Sequence, residues 1–472
     1  FLLGLSPAML QRGYLVDPAA VDFSAHRGPS TPMACELCAG VAATQILKIL
    51  LRRKGITAAP RGLQFDPFRE KLVRTWRPGG NRNPLQRLGL MIAGRQIARM
   101  GEVAGITEQA EKMMPVKSIL DQARWAPSGD NTQPWRFEII ADDHIVVHGN
   151  DTRDFCVYDL QGHASQLSLG ALLENIRIAA STEGMTADVE RRSNTPETNP
   201  VFDVRIAPAA GLVQDVLAPH ITGRTVQRRA MRRTELQEHQ QRVLEQSLPD
   251  GYRVRWFGGF AGRSKAVRLA YRSAGLRYVL PEAYPTHRDV IDWENVDQST
   301  DRIPANAVGL DQLTLRLTRW VMKSWNRVTF LNRYLGGTFL PRIQLDVIPG
   351  LACAAYFVLI ADRRPQSMDD FVQAGAAMQR FWLTATSLDL YLQPVMTPII
   401  FHEYVLDGVE FSAHSGMKQR AREVSDGLRN LLGDADSDCA VFMGRIGHGR
   451  QPQARSVRLP LDKLMTPVSE SG

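Results

Sequence analysis

The chain has 472 residues, 44% of them hydrophobic and 22% charged, with a net charge of +8 at neutral pH. That length exceeds what one hydrophobic core serves, so two or three domains are expected, and the composition is that of a soluble globular protein rather than a disordered or fibrous one. No apolar run approaches the roughly 20 residues that cross a bilayer, so no membrane partner is expected.

The charge is unevenly placed. Residues 1–116 hold 16 Lys/Arg against 8 Asp/Glu, and the remaining residues hold 41 of each. These N-terminal cations are dispersed, without interleaved aromatic residues or a reading helix. That argues for a solvated face and against a nucleic-acid partner. Phe1 stands where an initiator Met would, and no charged region precedes Leu2-Leu3, so the start does not read as a signal peptide and is expected to lie inside a domain. Cys35, Cys38, Cys156, Cys353 and Cys439 are sparse and odd in number, which fits a reducing cytoplasm better than a disulfide framework.

Residues 40–51 carry apolar side chains at helical spacing, with Val41, Ala42, Ile46, Leu47, Ile49 and Leu50 expected on a buried stripe. Arg52, Arg53 and Lys54 suit the C-terminal end of that helix, and Gly55 closes it. Leu63-Gln64-Phe65-Asp66 reads as a short strand, and residues 76–84 as an irregular loop. Gly28-Pro29-Ser30-Thr31, with the helix ending Ala43-Thr44-Gln45-Ile46-Leu47-Lys48, resembles the C-terminal half of ThiF/MoeB-like adenylating enzymes over about residues 1–90. The resemblance implies a partial α/β domain over residues 1–100, a homodimer through it, and a carrier protein or peptide as partner. The family's nucleotide loop and ATP ligands would fall upstream of Phe1, so no ATP site is expected here. Cys35-Glu36-Leu37-Cys38 has the spacing of half a zinc clamp, but a tetrahedral site needs four ligands and no second pair exists. Two small helix-entry thiols, and no metal, is the reading. Residues 101–115 are the expected linker.

Leu120 and Ala123 then close a helical pattern, Pro127 stops it, and Phe137-Glu138-Ile139-Ile140 reads as strand. The turn between them holds Ser128, Asn131 and Gln133, whose hydroxyl and amide groups suit the edge of a flat heterocycle. Gly129 admits a close backbone approach, and Pro134 stiffens the exit. Turn chemistry alone explains Pro127 and Gly129 but not Gln133-Pro134-Trp135. The run Ala126-Pro127-Ser128, Asn131, Gln133-Pro134-Trp135 resembles the flavin-binding turn of the nitroreductase family.

Further on, residues 162–184 read as an amphipathic helix with Leu169, Leu172, Leu173, Ile176 and Ala180 on one face, and residues 354–361 as a buried strand. Residues 371–390 read as a helix burying Phe371, Gly375, Met378, Trp382 and Ala385, followed by residues 391–398, with a loop over 393–398. The order suggests an α+β fold with a central antiparallel or mixed sheet. Arg224-Thr225-Val226-Gln227-Arg228-Arg229-Ala230-Met231 resembles the Arg-rich segment that opens a nitroreductase subunit, yet it follows the turn. Residues 381–386, 393–398, 442–447 and 455–460 resemble later elements of that subunit.

The whole resembles the long, Acg-like branch of the family. That implies a nitroreductase-like fold as an intrachain pseudo-dimer (116–222 and 223–472), one FMN between the halves, and a lid at 281–345, where Pro281, Pro285, Pro304, Gly336-Gly337 and Pro341 break the chain. It also implies NAD(P)H as co-substrate and a small-molecule substrate. On the family pattern Pro127, Ser128, Gly129, Asn131 and Gln133 would meet the flavin ring. Arg224, Gln227, Arg228 and Arg458 would meet its phosphate, and the backbone of Pro394, Val395, Met396 and Thr397 would lie by its redox nitrogen. For the 224–233 cluster, with Arg229, Arg232 and Arg233, a solvated helix start is the alternative, since five arginines cannot all meet one phosphate. Hydride transfer to a flavin needs no acid–base residue from the protein, so none is assigned, and His402, His414 and His448 are scattered. The expected function is an FMN-dependent oxidoreductase. The alternatives are a flavin-sequestering protein without turnover, or the redox partner of an adenylating module in carrier-protein, molybdopterin or peptide-azole chemistry.

Overall fold

Apolar side chains at helical spacing form α1 (Pro32–Leu50), and Gly55, at φ 88°, lets the chain turn back so that the Thr57 N–H donates to the Gln45 side chain at 3.1 Å. A hairpin of β1 (Arg61–Asp66) and β2 (Lys71–Trp76) follows. These elements lie in the first of two compact units, 1–111 and 112–472. A computed structural model describes residues 32–57, 61–66, 71–76, 114–334 and 336–466. The stripe expected to be buried on α1 is exposed, from 47% at Val41 to 71% at Leu50. Helical periodicity reports that one face is apolar, not that anything covers it. Gly28 to Thr31, the side chains of Cys35 and Cys38, residues 77–84 of the expected loop and most of the linker lie outside the described residues.

The second unit carries two four-stranded antiparallel sheets rather than the one central sheet expected. β3 (Trp135–Ala141), β4 (His144–Gly149), β5 (Met185–Arg191) and β6 (Val201–Pro208) form the first, in the order β3-β4-β6-β5. Phe202, Val204 and Ile206 of β6 alternate inward, the period of a sheet with one buried face. β7 (Tyr252–Phe257), β8 (Ala355–Ala361), β9 (Tyr391–Pro394) and β10 (Ala440–Gly447) form the second, in the order β9-β10-β8-β7. β8 and β10 are buried at every position, which is why both read as near-continuous apolar runs. Of the loop expected over 393–398, Gln393 and Pro394 belong to β9, paired with β10 from Tyr391↔Gly447 to Pro394↔Gly444.

Among the helices, α2 (Met114–Ala123) leads into the turn, and α3 (His163–Thr182) packs on the first sheet. α4 (Gly259–Arg277) covers the second sheet. The 281–345 insertion holds α5 (Tyr284–Asp289), α6 (Gln312–Val321) and α7 (Trp325–Tyr334). α8 (Met368–Ser387) begins three residues earlier than the apolar pattern suggested. Ser367 caps it, accepting from the Asp370 N–H while the Asp370 carboxylate accepts from the Ser367 N–H. Last come α9 (Thr397–Leu406) and α10 (Ser415–Leu432).

The helices α3 and α8 join the two sheets. A Cβ on Gly170 would stand 1.9 Å from the Val372 carbonyl oxygen, and one on Gly375 2.1 Å from that of Leu167. Only glycine permits that approach, and no side chain separates the two backbones there. A buried relay runs from the same crossing to the turn. Gln379 Nε2 donates to Asn175 Oδ1 at 2.7 Å, and Asn175 Nδ2 to the Ala123 carbonyl at 3.1 Å. The chain then returns to the first sheet at its end, where the Thr466 N–H donates to the Phe137 carbonyl at 2.8 Å.

Candidate functional site

The turn 126–134 is held in a conformation that costs free energy. Asp130, Asn131 and Gln133 sit at φ 51°, 66° and 50°, the left-handed region that side chains other than glycine disfavour. Its own polar groups offset that cost. Ser128 Oγ accepts from the Gln133 N–H at 3.0 Å. Gln133 Nε2 donates to the carbonyls of Asn131 (3.0 Å) and Thr300 (2.8 Å), and its Oε1 accepts from the Leu459 N–H at 2.9 Å. Asn131 Nδ2 donates to the carbonyls of Val457 (3.1 Å) and Arg302 (3.4 Å), and its Oδ1 accepts from Arg458 Nη1 at 2.7 Å. Arg458 also donates to the Ala126 carbonyl through Nε and Nη2, at 3.0 and 2.8 Å.

Ser128, Asn131, Gln133 and Arg458 therefore stitch together three distant segments: the turn, residues 300–302 and residues 457–459. The polar atoms expected at a heterocycle edge or a phosphate are engaged within the protein. A Cβ on Gly129 would meet no protein atom within 4 Å.

The turn lines a cavity of about 790 Å³, within the range of small-molecule sites. Its wall takes in Pro127 to Thr132 of the turn and Gln393 to Thr397 at the end of the second sheet, and the 281–345 segment supplies Tyr284, His287 and Val321. The Arg-rich segment also reaches the wall, but as extended chain rather than a helix start. Val226 bridges Leu392, and the Gln227 N–H donates to the Leu392 carbonyl at 3.1 Å. Arg445, fully buried, fixes that segment by donating to the carbonyls of Gln227, Arg228, Arg229 and Pro349. Gln227 braces the Arg-rich segment as well, with Nε2 on the Arg450 carbonyl (2.7 Å) and Oε1 accepting from the Arg229 N–H (3.0 Å). Arg229, Arg232 and Arg233 face solvent, while Arg224 and Arg228 line the cavity.

Two guanidinium groups stand out there. Arg224 lies over the Trp382 ring at 4.5 Å and donates through Nη2 to the Trp125 carbonyl at 2.9 Å, but its buried Nε has no partner. Arg455 lies over the Trp125 ring at 4.9 Å and donates to the Thr222 carbonyl at 2.9 Å, and its Nε is likewise unpartnered. Burial, then the like charges of Arg458 and Arg455, pushes Arg224 well below the ordinary arginine range. An arginine stays charged in a protein, so this direction reports positive charge without a countercharge. Arg455 was overlooked in the sequence although it opens the 455–460 motif from which Arg458 was taken.

A second polar cluster, at positions no motif marked, shares the wall. Tyr158 Oη and His287 Nε2 share a hydrogen bond of 2.8 Å. Burial, reinforced by the Arg277 charge, pushes that imidazole down to about 3. Arg277 donates to Tyr278 Oη at 2.9 Å. Burial pushes the Asp346 carboxyl up to about 6, against Arg277, Arg342 and Arg445, and raises Asp130 against Arg228 and Arg277.

At the second sheet the Val395 N–H donates to the Met443 carbonyl at 2.8 Å and is not free for a ligand. Met396 and Thr397 stand at the N-terminus of α9, where the leading N–H groups lack helical acceptors, and the buried Gln393 Oε1 nearby has no partner. His402 is structural, bonded to Ser425 Oγ at 2.8 Å and Asp438 Oδ1 at 3.1 Å. Among the described residues no group of three or more His, Cys, Asp or Glu is placed to hold a metal.

Known proteins match this unit. Residues 112–172 match the family described as Nitroreductase family. A Mycobacterium tuberculosis protein named as an NAD(P)H nitroreductase, acg, in strains CDC 1551 / Oshkosh and ATCC 25618 / H37Rv, is 38% identical over 96 residues, 20% of this chain. The uncharacterized protein MT1398 of strain CDC 1551 / Oshkosh is 23% identical over 354 residues, 75% of this chain. The matched stretches span 28% of the acg proteins' length and 48% of MT1398's. The FMN-dependent nitroreductase NfnB from Mycobacterium smegmatis, solved in complex with NADPH, is 16% identical and aligns over 53% of this chain and 96% of its own, with a TM-score of 0.28. Residues 112–172 are thus similar to the nitroreductase family, and the stretch shared with the acg proteins is 96 residues long.

Proposed function

We propose that the chain is an FMN-dependent oxidoreductase with one flavin site between two halves of a single chain. The observation that carries it is the pair of guanidinium groups, Arg224 buried and Arg455 half-buried, with unpartnered buried Nε atoms and no countercharge. Such a corner fits a dianionic phosphate, which supplies the missing charge and acceptors. Their stacking on Trp382 and Trp125 fixes both forks before a ligand arrives. In a nitroreductase family domain that phosphate is read as FMN's. Bound there, FMN supplies two-electron redox chemistry, with NAD(P)H as the candidate donor.

The chain's own contributions follow from the geometry. Arg224 and Arg455 bind the phosphate, and Arg445 holds the backbone that presents Arg224 and Arg228. Asn131, Gln133 and Arg458 act as positioning residues, tying residues 300–302 of the insertion across the turn and keeping water from that side. The leading N–H groups of α9 present positive dipole to the cavity. The pseudo-dimer reading is supported by two antiparallel sheets whose long helices cross at Gly170 and Gly375.

The insertion's place on the cavity wall favours a second reading, a flavin-sequestering protein closed to nicotinamide. One experiment separates the two. The purified chain is loaded with FMN, its visible spectrum recorded, and NADPH added without oxygen. Flavin binding with rapid bleaching supports the oxidoreductase. Binding without bleaching supports sequestration, and failure to take up FMN overturns both.

A further inference from the structure

The insertion carries a second surface that the cavity does not use. On α6, Leu313, Arg316 and Trp320 recur at helical spacing on the exposed face, while Leu315 and Val321 are buried. On α7, Phe330 and Tyr334 are exposed while Val328 is buried, and Phe339 is exposed beyond it. The exposures are large: Leu313 77%, Tyr334 64%, Phe339 60%, Phe330 54% and Trp320 48%. Arg327 of α7 lies over the Trp320 ring of α6 at 4.5 Å, and the Phe330 and Tyr334 rings are 5.2 Å apart. The two helices thus present one face.

Its charge has a single sign. Residues 312–345 include Arg316, Arg319, Lys323, Arg327, Arg333 and Arg342, and no Asp or Glu. Arg342 turns inward to the Tyr271 carbonyl. The flanking carboxylate of Asp311 is spent capping α6 and accepting from Gln344.

We propose that this face docks on an anionic lipid bilayer, with the aromatic residues at headgroup depth and the cations against lipid phosphates. Exposed aromatic and Leu side chains flanked by Arg and Lys on one helical face match what an interfacial helix requires. A second copy is a poorer occupant, because a two-fold contact would set the cations of one face against those of the other. The first unit of this chain is no better matched, since residues 1–116 carry a net +8 of their own. Nothing here spans the bilayer: among the described residues no helix is long and apolar enough to cross one. The inference stands independently of any bound flavin.

The test floats the full chain with vesicles of phosphatidylcholine, with or without phosphatidylglycerol. Binding is expected to the phosphatidylglycerol vesicles only, and to weaken as salt shortens the screening length. Phe330→Ser/Tyr334→Ser/Phe339→Ser should lower the partition at least about tenfold, and Arg316→Gln/Arg319→Gln about thirtyfold. These side chains are exposed, so circular dichroism and thermal melting of both variants should match the parent. No flotation with anionic vesicles at low salt overturns the proposal, as does flotation unchanged by the aromatic replacements. A dimer in sedimentation that those replacements dissociate overturns it too, by assigning the face to a second copy.

Discussion

Two polar clusters line the same cavity and solve the problem of burial in opposite ways. Around Tyr158 and His287, charge is balanced or absent: the imidazole is held neutral, Asp346 is held toward its protonated form, and Arg277 has Tyr278 as hydrogen-bond partner. Around Arg224 and Arg455 it is not. Two guanidinium groups, Arg224 buried and Arg455 half-buried, stand together with Arg458, each lowered first by burial, and each of the pair keeps one donor unmet. A buried charge without a partner is among the costlier features a fold can hold. The comparison teaches where a ligand's charge is awaited: the first cluster also keeps Arg277 Nε and Asp346 Oδ2 unpartnered but holds a carboxyl of its own beside Arg277, whereas no carboxyl faces the second.

The strongest way to break that contrast is Arg224→Met/Arg455→Met. Each charge-assisted contact to a phosphate contributes about 1.5–3 kcal/mol, so the double variant should bind FMN about a thousandfold more weakly by fluorescence titration. Riboflavin, which lacks the phosphate, should bind parent and variant alike. Equal losses for both ligands would mean that the corner supports the ring or the fold rather than a phosphate.

Arg224→Met alone sharpens the contrast by separating binding from folding. FMN affinity should fall about thirtyfold, while the ligand-free protein should gain about 1 kcal/mol in urea unfolding. Removing an uncompensated buried charge relieves more than the bond to Trp125 and the stacking on Trp382 supplied. A loss of ligand-free stability would make this corner structural, no different in kind from the other cluster. Asn131→Ala tests the stitching beneath it. The bonds to Val457, Arg302 and Arg458 go together, at about 2–3 kcal/mol in the same assay.

What the sequence disclosed and withheld divides along the same lines. The turn was legible because its pattern is local, and α3, α8 and β8 because periodicity and apolar runs report burial directly. The partners of the turn were not: Gln133 meets Thr300 and Leu459 across 167 and 326 positions, and no spacing rule reaches that far. Reading Ser128, Asn131 and Gln133 as ring contacts assumed their polar atoms were free, whereas the fold uses them on itself. Val395 was misjudged for a similar reason, since only strand register shows that its N–H faces Met443. On α1 the error ran the other way: a stripe was seen, and a covering partner was assumed. Tyr158 and His287, 129 positions apart, belong to no motif and emerged only from the fold.

The smallest expected effect concerns that neutral cluster and its pH dependence. Unfolded, the His287 imidazole titrates near its ordinary 6.5, and folded near about 3. Between those values the unfolded chain holds a proton the folded chain lacks, so stability present above pH 6.5 is lost as pH falls toward 3. Asp346 works in the opposite sense. Its carboxyl is raised to about 6, so its contribution is full below its ordinary 3.8 and is lost as pH rises through 6. His287→Gln removes the first limb and leaves the second. Between pH 6.5 and 4 the variant should therefore gain stability on acidification, while in the parent the two limbs nearly cancel. The two should diverge by about 2 kcal/mol once partial contact with the cavity is discounted. Thermal melts across that range decide it. Parallel curves would mean that water reaches the imidazole, and that the neutral cluster is no more sealed than the cationic one.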